Sequence, residues 1–254
     1  MWILVLLTVL ATLTVNVLAN ALPINGQTTG EISDRFAVLF TPAGYVFAIW
    51  LLIFLGLLAL AIYQALPAQR ANPRLQRARG WIALSGVANI AWLFLWHYER
   101  YPLTLIAMLI LLGSLIATYE SLEIGKRSIT RGERWFVQAP ISLYLGWISV
   151  ATIANATVLL DYLGWNGWGL QPEIWTAIMV AAALGIGWLM AVRRTDWVFP
   201  LVLAWAFFGI GVQNSDAQSV VYLAWLASAL SLVAAALAVS RSRGTSLGKQ
   251  AVRT

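Results

Sequence analysis

The side chains best suited to chemistry in this sequence are tryptophans and a few amides inside long apolar segments. The chain has 14 tryptophans among 254 residues, and one group of them lies deep in these segments: Trp50, Trp92, Trp147, Trp205 and Trp225. Asn89, Tyr144 and Asn155 stand close to members of this group. Large rings with a few polar groups are typical of a pocket for a flat hydrophobic ligand. Ordinary packing between helices is the alternative explanation.

Several kinds of chemistry are excluded by residue type alone. The sequence has no cysteine, which rules out a thiolate nucleophile, and its single histidine rules out an all-histidine metal cluster in one chain. Both lysines, Lys126 and Lys249, lie outside the apolar segments, so a retinal Schiff base is excluded. No ionisable residue lies near the middle of such a segment, which argues against a proton-coupled or ion transporter. No nucleophile and no paired acid and base stand out, and we expect no enzymatic activity.

The histidine, His97, lies at the end of an apolar segment beside Tyr98 and Glu99. Its imidazole could ligate the metal of a haem or a chlorophyll. A solvated histidine at the membrane interface is the simpler interpretation, and it is the one we expect. We therefore predict no metal site.

The elements that must position these residues are membrane-spanning helices. The chain is 61% hydrophobic and 10% charged, with a mean hydropathy of +0.79, whereas soluble domains have about 25% charged residues. Residues 41–66 carry no charge and are long enough to cross a hydrocarbon core of about 30 Å. The pattern predicts an all-α polytopic membrane protein with eight transmembrane helices, over residues 2–22, 41–66, 80–97, 102–122, 135–160, 172–192, 197–213 and 218–240.

The first segment has no Lys or Arg before its apolar run, so we interpret it as a retained helix rather than a cleaved signal peptide. Four of its polar residues share one face because they are spaced by four: Thr8, Thr12, Asn16 and Asn20. Such a stripe should face protein or a cavity, and interhelical hydrogen bonding is the simpler interpretation. Residues 23–40 are long for a membrane loop, and we expect them to fold over the outer mouth of the bundle.

The basic residues predict the orientation. The formal net charge is +6 and the isoelectric point is about 10.0, a balance that can indicate a nucleic-acid partner. With eight spans and both termini in the cytoplasm, every Lys and Arg except Arg35 and Arg100 lies on the cytoplasmic side. Omitting the shortest span, 197–213, would move the basic tail, residues 241–254, to the other side. The positive-inside pattern explains the charge, so we expect no nucleic-acid partner. We also expect the tail to lack regular structure.

Three stretches in the first 160 residues resemble the TspO/MBR family, the tryptophan-rich sensory proteins related to the translocator protein. The second helix of that family is similar to residues 41–63, TPAGYVFAIWLLIFLGLLALAIY. Its third helix carries an L-N-x-x-W-x-x-L-F run that residues 89–94, NIAWLF, resemble. Its fifth helix carries a P-Y-L-x-W-x-x-F-A-x-x-L-N run that is similar to residues 140–155, PISLYLGWISVATIAN.

The resemblance implies a five-helix bundle with a ligand pocket near the first loop, lined at the matching positions: Trp50, Asn89, Trp92, Tyr144, Trp147 and Asn155. It also implies a porphyrin or other tetrapyrrole as the ligand, in a sensory or regulatory role. The sequence departs from the family where the usual W-x-P-P ahead of the second helix is reduced to Thr41-Pro42. That loop helps to close the pocket of the family.

The remainder of the chain has no counterpart in the compact members of the family. A connection rich in glycine and tryptophan, residues 161–171, predicts a boundary between a TspO-like module, residues 1–160, and a three-helix transmembrane extension, residues 161–254. Two functions compete with ligand sensing: a structural or assembly subunit of a larger, pigment-containing membrane complex, and a facilitative carrier. The expected partners are membrane lipid, a tetrapyrrole, and a second copy or larger complex. The expected location is a prokaryotic inner membrane or a thylakoid-type membrane.

Overall fold

The computed structural model describes residues 1–22, 24–127 and 129–251, and over these ranges it contains no β-strand, in agreement with the all-α prediction. Within them, eight helices of 16 to 34 residues form the bundle. We name them in chain order α1 (Trp2–Ala21), α2 (Ile49–Ala65), α3 (Pro73–His97), α4 (Tyr101–Ser121), α5 (Ala139–Tyr162), α6 (Pro172–Arg194), α7 (Val198–Gln213) and α8 (Gln218–Ala251). Shorter elements lie in the connections: Ile24–Gly26, Thr29–Ser33, Gly44–Ala48, Pro67–Arg70, Arg131–Glu133, Arg134–Gln138 and Gly167–Gly169.

Helix α3 begins at Pro73 rather than near residue 80. The side chain of Asn72 caps it and accepts the N–H of Arg74 at 3.1 Å. Pro73 takes the first helical position, where an N–H group would have no partner within the helix, so its absence costs no hydrogen bond. The prediction followed only the apolar residues, whereas the helix continues through the arginine-rich turn before them.

Helix α2 begins at Ile49, after a 3-10 turn at Gly44–Ala48, so the predicted start of this helix at residue 41 is wrong. The backbone ahead of α2 is held by α7 instead. The N–H of Ala43 donates to the carbonyl of Gly209 at 3.1 Å. Any side chain at position 209 would overlap Val46, so the glycine allows this close approach.

Helix α5 begins at Ala139 rather than at Trp135, because a π-helical turn, Arg134–Gln138, precedes it. Pro140 lies in the first turn of α5. Helices α2 and α5 approach closely at this point. A Cβ at Gly56 would lie 3.1 Å from the Cβ of Pro140.

The polar stripe of α1 packs against α3. The hydroxyl of Thr12 donates to the carbonyl of Gly86 at 3.3 Å, and Asn16 Nδ2 donates to Asn89 Oδ1 at 2.8 Å. Thr8 lies against the same glycine, although its own hydroxyl bonds to a carbonyl of α1. Interhelical hydrogen bonding is confirmed at two positions of the stripe, and the side chain of Asn20 lies outside the described part.

One apolar core runs through the whole bundle. A single cluster of buried apolar residues has members from all eight helices, for example Val9 in α1, Leu111 in α4, Phe207 in α7 and Ala224 in α8. Helix α7 packs on α5 and also on α6 and α8. The predicted division at residues 161–171 therefore runs between elements that share a core, and it stays a prediction.

Seven of the long helices in the described chain have the length and composition to cross a membrane. The remaining one, α7, is apolar but has only 16 residues. It still runs from one end of the bundle to the other. Its start is joined to Arg194 by the short turn at residues 195–197, whereas at its far end Asn214 Nδ2 donates to the carbonyl of Leu39 at 2.9 Å.

The two ends of the bundle differ in character. One end, which we call the basic end, holds the arginine-rich connections between α2 and α3, α4 and α5, and α6 and α7. Ion pairs join these connections, including Arg74–Glu133 at 2.7 Å and Arg77–Glu123 at 3.2 Å. The opposite end is covered by residues 24–43, which we call the cover segment. Its short helix Thr29–Ser33 packs on α3, as expected for a segment folded over the mouth of the bundle.

Helix α8 continues to Ala251, well past the residue at which we expected regular structure to end. The sequence prediction treated the basic residues after position 240 as a boundary, but charged residues are compatible with a helix outside the membrane. The last residues of the predicted tail, 252–254, lie outside the described residues.

Candidate functional site

A cavity of about 70 Å³ lies between α2, α3, α4 and α5, beneath the cover segment. Five of the predicted site residues line it: Trp50 of α2, Asn89 and Trp92 of α3, and Trp147 and Asn155 of α5. The sixth, Tyr144, lies behind the wall. Its hydroxyl accepts an N–H of the Asn89 amide at 3.1 Å, and its ring meets that of Trp50 edge-on, with centroids 6.0 Å apart. Five of the six predicted residues therefore surround one space.

Indole rings form most of the wall. Trp92 stacks on Trp96, with ring centroids 5.5 Å apart and planes inclined by 21°. Trp147 is met edge-on by Trp50 at 6.3 Å and by Phe47 at 5.7 Å. The rings present broad apolar faces, and no charged residue of the described chain is among the lining residues. Such a wall suits an apolar, planar molecule.

The two amides of the site are engaged in bonds between helices. Asn89 accepts from Asn16 of α1 and donates to Tyr144 of α5. Asn155 of α5 donates to Thr104 of α4 at 2.9 Å, and its oxygen accepts the indole N–H of Trp92 at 3.0 Å. Both amides therefore fix the positions of the surrounding helices.

Two other polar atoms on the cavity wall have no such bonds. Thr41 Oγ1 and Trp147 Nε1 are buried and have no hydrogen-bond partner among the described residues. Thr41 is 7% exposed and Trp147 is 2% exposed. The large majority of buried polar side-chain atoms are hydrogen-bonded, so each exception requires an explanation. Both atoms belong to residues that line the same cavity.

The cover segment closes the cavity on one side. Thr28 and Glu31 form a capping box that starts the short helix Thr29–Ser33, and both end residues of this helix line the cavity. The indole N–H of Trp96 donates to the carbonyl of Thr29 at 3.2 Å, which ties the helix to α3. The cavity is therefore bounded on this side by a short helix of the cover segment.

An ion pair fastens the outer side of the cover segment. Arg35 Nη1 lies 2.8 Å from Glu99 Oε1, and both side chains are partly exposed. The guanidinium of Arg35 and a hydrogen bond from Gln27 hold the pKa of the Glu99 carboxyl below its ordinary value. The same pair raises the pKa of Arg35. The contact thus depends on the charged form of Glu99.

His97 is fully buried, so the predicted solvated histidine is wrong. The cover segment lies over it, and Asn25 Nδ2 donates to its carbonyl at 3.1 Å. Its Nδ1 lies 2.8 Å from the carbonyl oxygen of Leu93, while Nε2 has no partner among the described residues. His97 does not line the cavity. The described chain contains no group of three side chains suited to hold a metal ion.

Two of the deep tryptophans lie away from the cavity. Trp205 is 38% exposed and donates its indole N–H to the carbonyl of Val46 at 3.0 Å. Trp225 is 45% exposed and stacks with Phe208 on the outer surface. Depth along a helix does not indicate which face a residue occupies.

The cavity also contains residues that the sequence did not predict as site residues: Thr29, Ser33, Thr41, Pro42, Phe47, Trp96, Met108 and Leu111. Trp96 follows Trp92 by four residues, so the shared helix face could have indicated it. Thr41 and Pro42 were recognisable only as a remnant of the family motif. Met108 and Leu111 of α4 could not be recognised from the sequence, because Met and Leu are ordinary residues at any face of a membrane helix.

The fold and the cavity define a multi-pass helical membrane protein with an aromatic cavity enclosed by its helices. The family model described as TSPO-like protein matches residues 2–238, and the chain belongs to this family. This match confirms the resemblance seen in the first 160 residues and continues through α6, α7 and most of α8. No match was found among curated proteins or among solved structures.

Proposed function

We propose that this protein binds a flat hydrophobic ligand of the tetrapyrrole class in its aromatic cavity, in a sensory or regulatory role and without catalysis. The observation that carries the proposal is the pair of unpartnered polar atoms, Thr41 Oγ1 and Trp147 Nε1, on an indole-lined wall. The ligand class follows from the likeness to the TspO family. We further propose eight membrane crossings with both termini in the cytoplasm.

The two unpartnered atoms define the ligand group that would meet them. An indole N–H only donates a hydrogen bond, and a hydroxyl donates or accepts. The complementary group is therefore an acceptor, such as a carboxylate or a ring nitrogen lacking a proton. Tetrapyrroles carry such nitrogens and commonly carry carboxylate substituents, while their planar rings suit the faces of Trp50 and Trp92.

The size of the cavity implies that binding includes an opening step. Pockets for drug-sized ligands have volumes of about 300–1,000 Å³, and this cavity has about 70 Å³. The cover segment is the element suited to move, because it is short and its outer fastening to α3 is a partly exposed ion pair, Arg35–Glu99. Displacing it, together with the rings of Phe47 and Trp50, would enlarge the space between α2, α3 and α5.

A subunit role is the alternative, and one surface feature favours it. Trp165, Trp168 and Trp175 form a cluster at the end of α5 and the start of α6, with centroid distances of 5.0 to 5.6 Å. Trp168 is 77% exposed and has a positive φ of 53°. Exposed indoles are enriched at protein interfaces and at membrane interfaces. A partner protein or a second copy would bury this cluster.

The decisive variant is Thr41→Val, which removes the hydroxyl and keeps the shape of the side chain. Added porphyrin should saturably quench the tryptophan fluorescence of the purified parent protein. Thr41→Val should bind the porphyrin about three- to tenfold more weakly, as measured by ligand absorbance. The same variant should raise the melting temperature of the ligand-free protein, because it removes a buried hydroxyl without a partner.

The matched control is Thr118→Val, since the hydroxyl of Thr118 is buried but bonded to the carbonyl of Ser114 within α4. Its porphyrin affinity should equal that of the parent protein. Absence of saturable porphyrin binding, or equal affinity in Thr41→Val and the parent, would contradict the ligand-binding proposal. The tryptophans would then be packing residues, and the subunit role would be favoured.

A further inference from the structure

A second cavity, of about 510 Å³, lies at the basic end of the bundle. The connection between α4 and α5, the first turns of α5, and the turn between α6 and α7 form its wall. Four cationic side chains and one carboxyl group line it: Lys126, Arg127, Arg134 and Arg194, with Asp196. It shares no lining residue with the aromatic cavity, so the two are separate sites.

The acidic groups near this cavity leave it positively charged. Glu120 pairs with both Lys126 and Arg194, and Glu123 pairs with Arg127. Arg134 forms no ion pair with an acidic residue of the described ranges. Two carboxylates therefore face three of the cations, and the fourth cation has no acidic partner.

The carboxyl group of Asp196 is engaged on the protein side of the cavity. It is 6% exposed and accepts the hydroxyl proton of Tyr119 at 2.9 Å. It also accepts the N–H groups of Val198 and Phe199, at 3.0 and 3.2 Å, at the start of α7. Burial raises the pKa of this carboxyl. Asp196 thus caps the start of α7, and both of its carboxyl oxygens are engaged by donors of the protein wall.

The cavity also contains a buried donor without a partner. Gln138 Nε2 is buried and makes no hydrogen bond to the described residues. Gln138 and Arg134 are the last and first residues of the π-helical turn ahead of α5, and both line the cavity. Single π-helical turns occur frequently at functional sites. The turn thus provides one amide donor and one guanidinium to the same space.

The wall of this cavity is fixed by close packing. Gly125 has a φ of +76°, and a Cβ at this position would overlap the carbonyl oxygen of Arg194. The α4–α5 connection can lie against the end of α6 only because residue 125 has no side chain. Arg194 Nη1 also donates to the carbonyl of Ile124 at 3.4 Å. The cationic groups are therefore held on a defined backbone.

We propose that this cavity binds a phosphate group, and that the group belongs to an anionic phospholipid of the surrounding membrane. Guanidinium and ammonium groups bind phosphate through charge-assisted hydrogen bonds, and a neutral amide N–H can meet a remaining phosphate oxygen. Basic pockets between transmembrane helices are typical sites for acidic headgroups. The site takes no part in the proposed tetrapyrrole function and lies at the other end of the bundle.

A lipid is favoured over free phosphate because a groove of about 340 Å³ lies beside the cavity along α5. Ser142 lines the cavity, and the next residues on the same helix face, Leu145 and Ser149, line the groove. Glu120 lines the groove while its partner Arg194 lines the cavity, so the two spaces lie on either side of this ion pair. The remaining wall of the groove is mainly apolar and suits an acyl chain.

The experiment measures lipid binding to the full-length protein in a neutral detergent by native mass spectrometry. Dioleoyl phosphatidylglycerol is compared with dioleoyl phosphatidylcholine, which has the same chains but no net charge, and with inorganic phosphate. Phosphatidylglycerol should bind saturably and about tenfold more tightly than phosphatidylcholine. Arg134→Gln should weaken its binding about tenfold, and Gln138→Leu about threefold. Arg131→Gln is the matched control, because Arg131 lies beside the turn but does not line the cavity.

Each outcome decides the proposal. Equal binding of the two lipids, or equal losses in the Arg134 and Arg131 variants, would overturn the site. Inorganic phosphate that binds as tightly as the lipid, with the same dependence on Arg134, would keep the phosphate site and overturn its assignment to lipid. Gln138→Leu removes an unpartnered buried amide and should fold, so it still tests the site if Arg134→Gln is unstable.

Discussion

At the scale of single residues, the polar groups inside the bundle fall into two kinds. Asn89 and Asn155 bond to neighbouring helices, and their amides hold α1, α3, α4 and α5 in register. Thr41 and Trp147 have polar atoms without partners at the edge of a cavity. In hydrocarbon the first kind contributes to stability, and the second kind is costly unless a ligand completes its bonds.

Replacing Asn89 should therefore affect folding first. Asn89→Leu removes the acceptor for Asn16 and the donor to Tyr144, and it should lower the free energy of unfolding by about 1–2 kcal/mol. Unfolding in detergent mixtures of rising sodium dodecyl sulfate content measures the change. Ser85→Ala is the control, since the hydroxyl of Ser85 bonds only to the carbonyl of Ile82 in its own helix, and it should cost less than about 0.5 kcal/mol. Equal costs would show that the amide bonds contribute nothing.

The sequence indicated which residues could form the site better than it indicated what each of them does. Spacing along α3 and α5 was sufficient to place Asn89, Trp92 and Trp147 on inward faces, because side chains three or four apart share a face. It could not show that the Asn89 amide is occupied by Asn16, since the contact between α1 and α3 depends on how two distant helices pack. Thr41 was missed for the same reason, because its environment is created by the fold of the cover segment.

At the scale of elements, the cover segment is the part of the site whose attachment depends on pH. Its outer contact is the pair of Arg35 and Glu99, and the pKa of Glu99 lies below the ordinary value of 4.5. A carboxyl whose pKa is lower in the folded state than in the unfolded state stabilises the folded state at pH values above its ordinary pKa of 4.5. This contribution disappears as the pH falls through the lowered value. The segment should therefore be firmly attached at neutral pH and loosen in acid.

Hydrogen exchange of the cover segment tests this expectation. After correction for intrinsic rates, exchange in residues 29–36 should be slow at neutral pH and should accelerate below pH 4.5, the ordinary value for Glu99. Glu99→Gln should exchange faster than the parent at neutral pH and show a smaller pH dependence, because the Glu31 carboxylate of the capping box, whose pKa is also lowered, still titrates. Asp34→Asn, which changes a nearby carboxylate with no ion pair in the described chain, should behave like the parent. A pH response as large in Glu99→Gln as in the parent would assign it to another group.

Sequence reasoning at the element scale was accurate for apolar helices and poor for their ends. The composition of each span indicated which segments form long apolar helices, because uncharged apolar stretches of this length have few alternatives. The start of α3 at Pro73 and the 3-10 turn before α2 depended on a cap and on the backbone of α7, respectively. Neither partner is recognisable from local hydropathy.

At the scale of the whole molecule, the two cavities lie at opposite ends of the bundle, and α5 contributes to both. The order of helices and the distribution of arginines along the chain were readable from the sequence. The single core that unites α1–α5 with α6–α8 was not, because no motif indicated that α7 would pack beside α5 and hold the backbone of Ala43.

Topology can be measured directly. Reporter fusions after Arg79, after Arg134 and at Thr254 should all report the cytoplasm, because eight crossings place these three positions on the positively charged side. A fusion after Asp161 is the control and should report the opposite side. A non-cytoplasmic signal at Thr254 together with cytoplasmic signals at the other two positions would remove one crossing from α6–α8.

Truncation tests the predicted boundary. A chain that ends at Asp161 should still insert and bind some tetrapyrrole, but more weakly than the full chain, because α7 no longer holds Ala43 and Val46. Absorbance titration of the purified protein measures the difference. Failure to insert would show that residues 1–160 are not an independent module, and loss of a membrane protein that co-purifies with the full chain would support the subunit role.

The length of α7 has a consequence for the lipid around the protein. Its 16 residues extend about 24 Å, less than the hydrocarbon thickness of about 30 Å. Trp205, Phe208 and Val212 are exposed along it, so one flank of this helix would face lipid. A crossing by α7 requires the bilayer to become thinner there, at a cost that rises with membrane thickness. Hydrophobic mismatch at a single helix would thus bias the protein toward the thinner membranes of its cell.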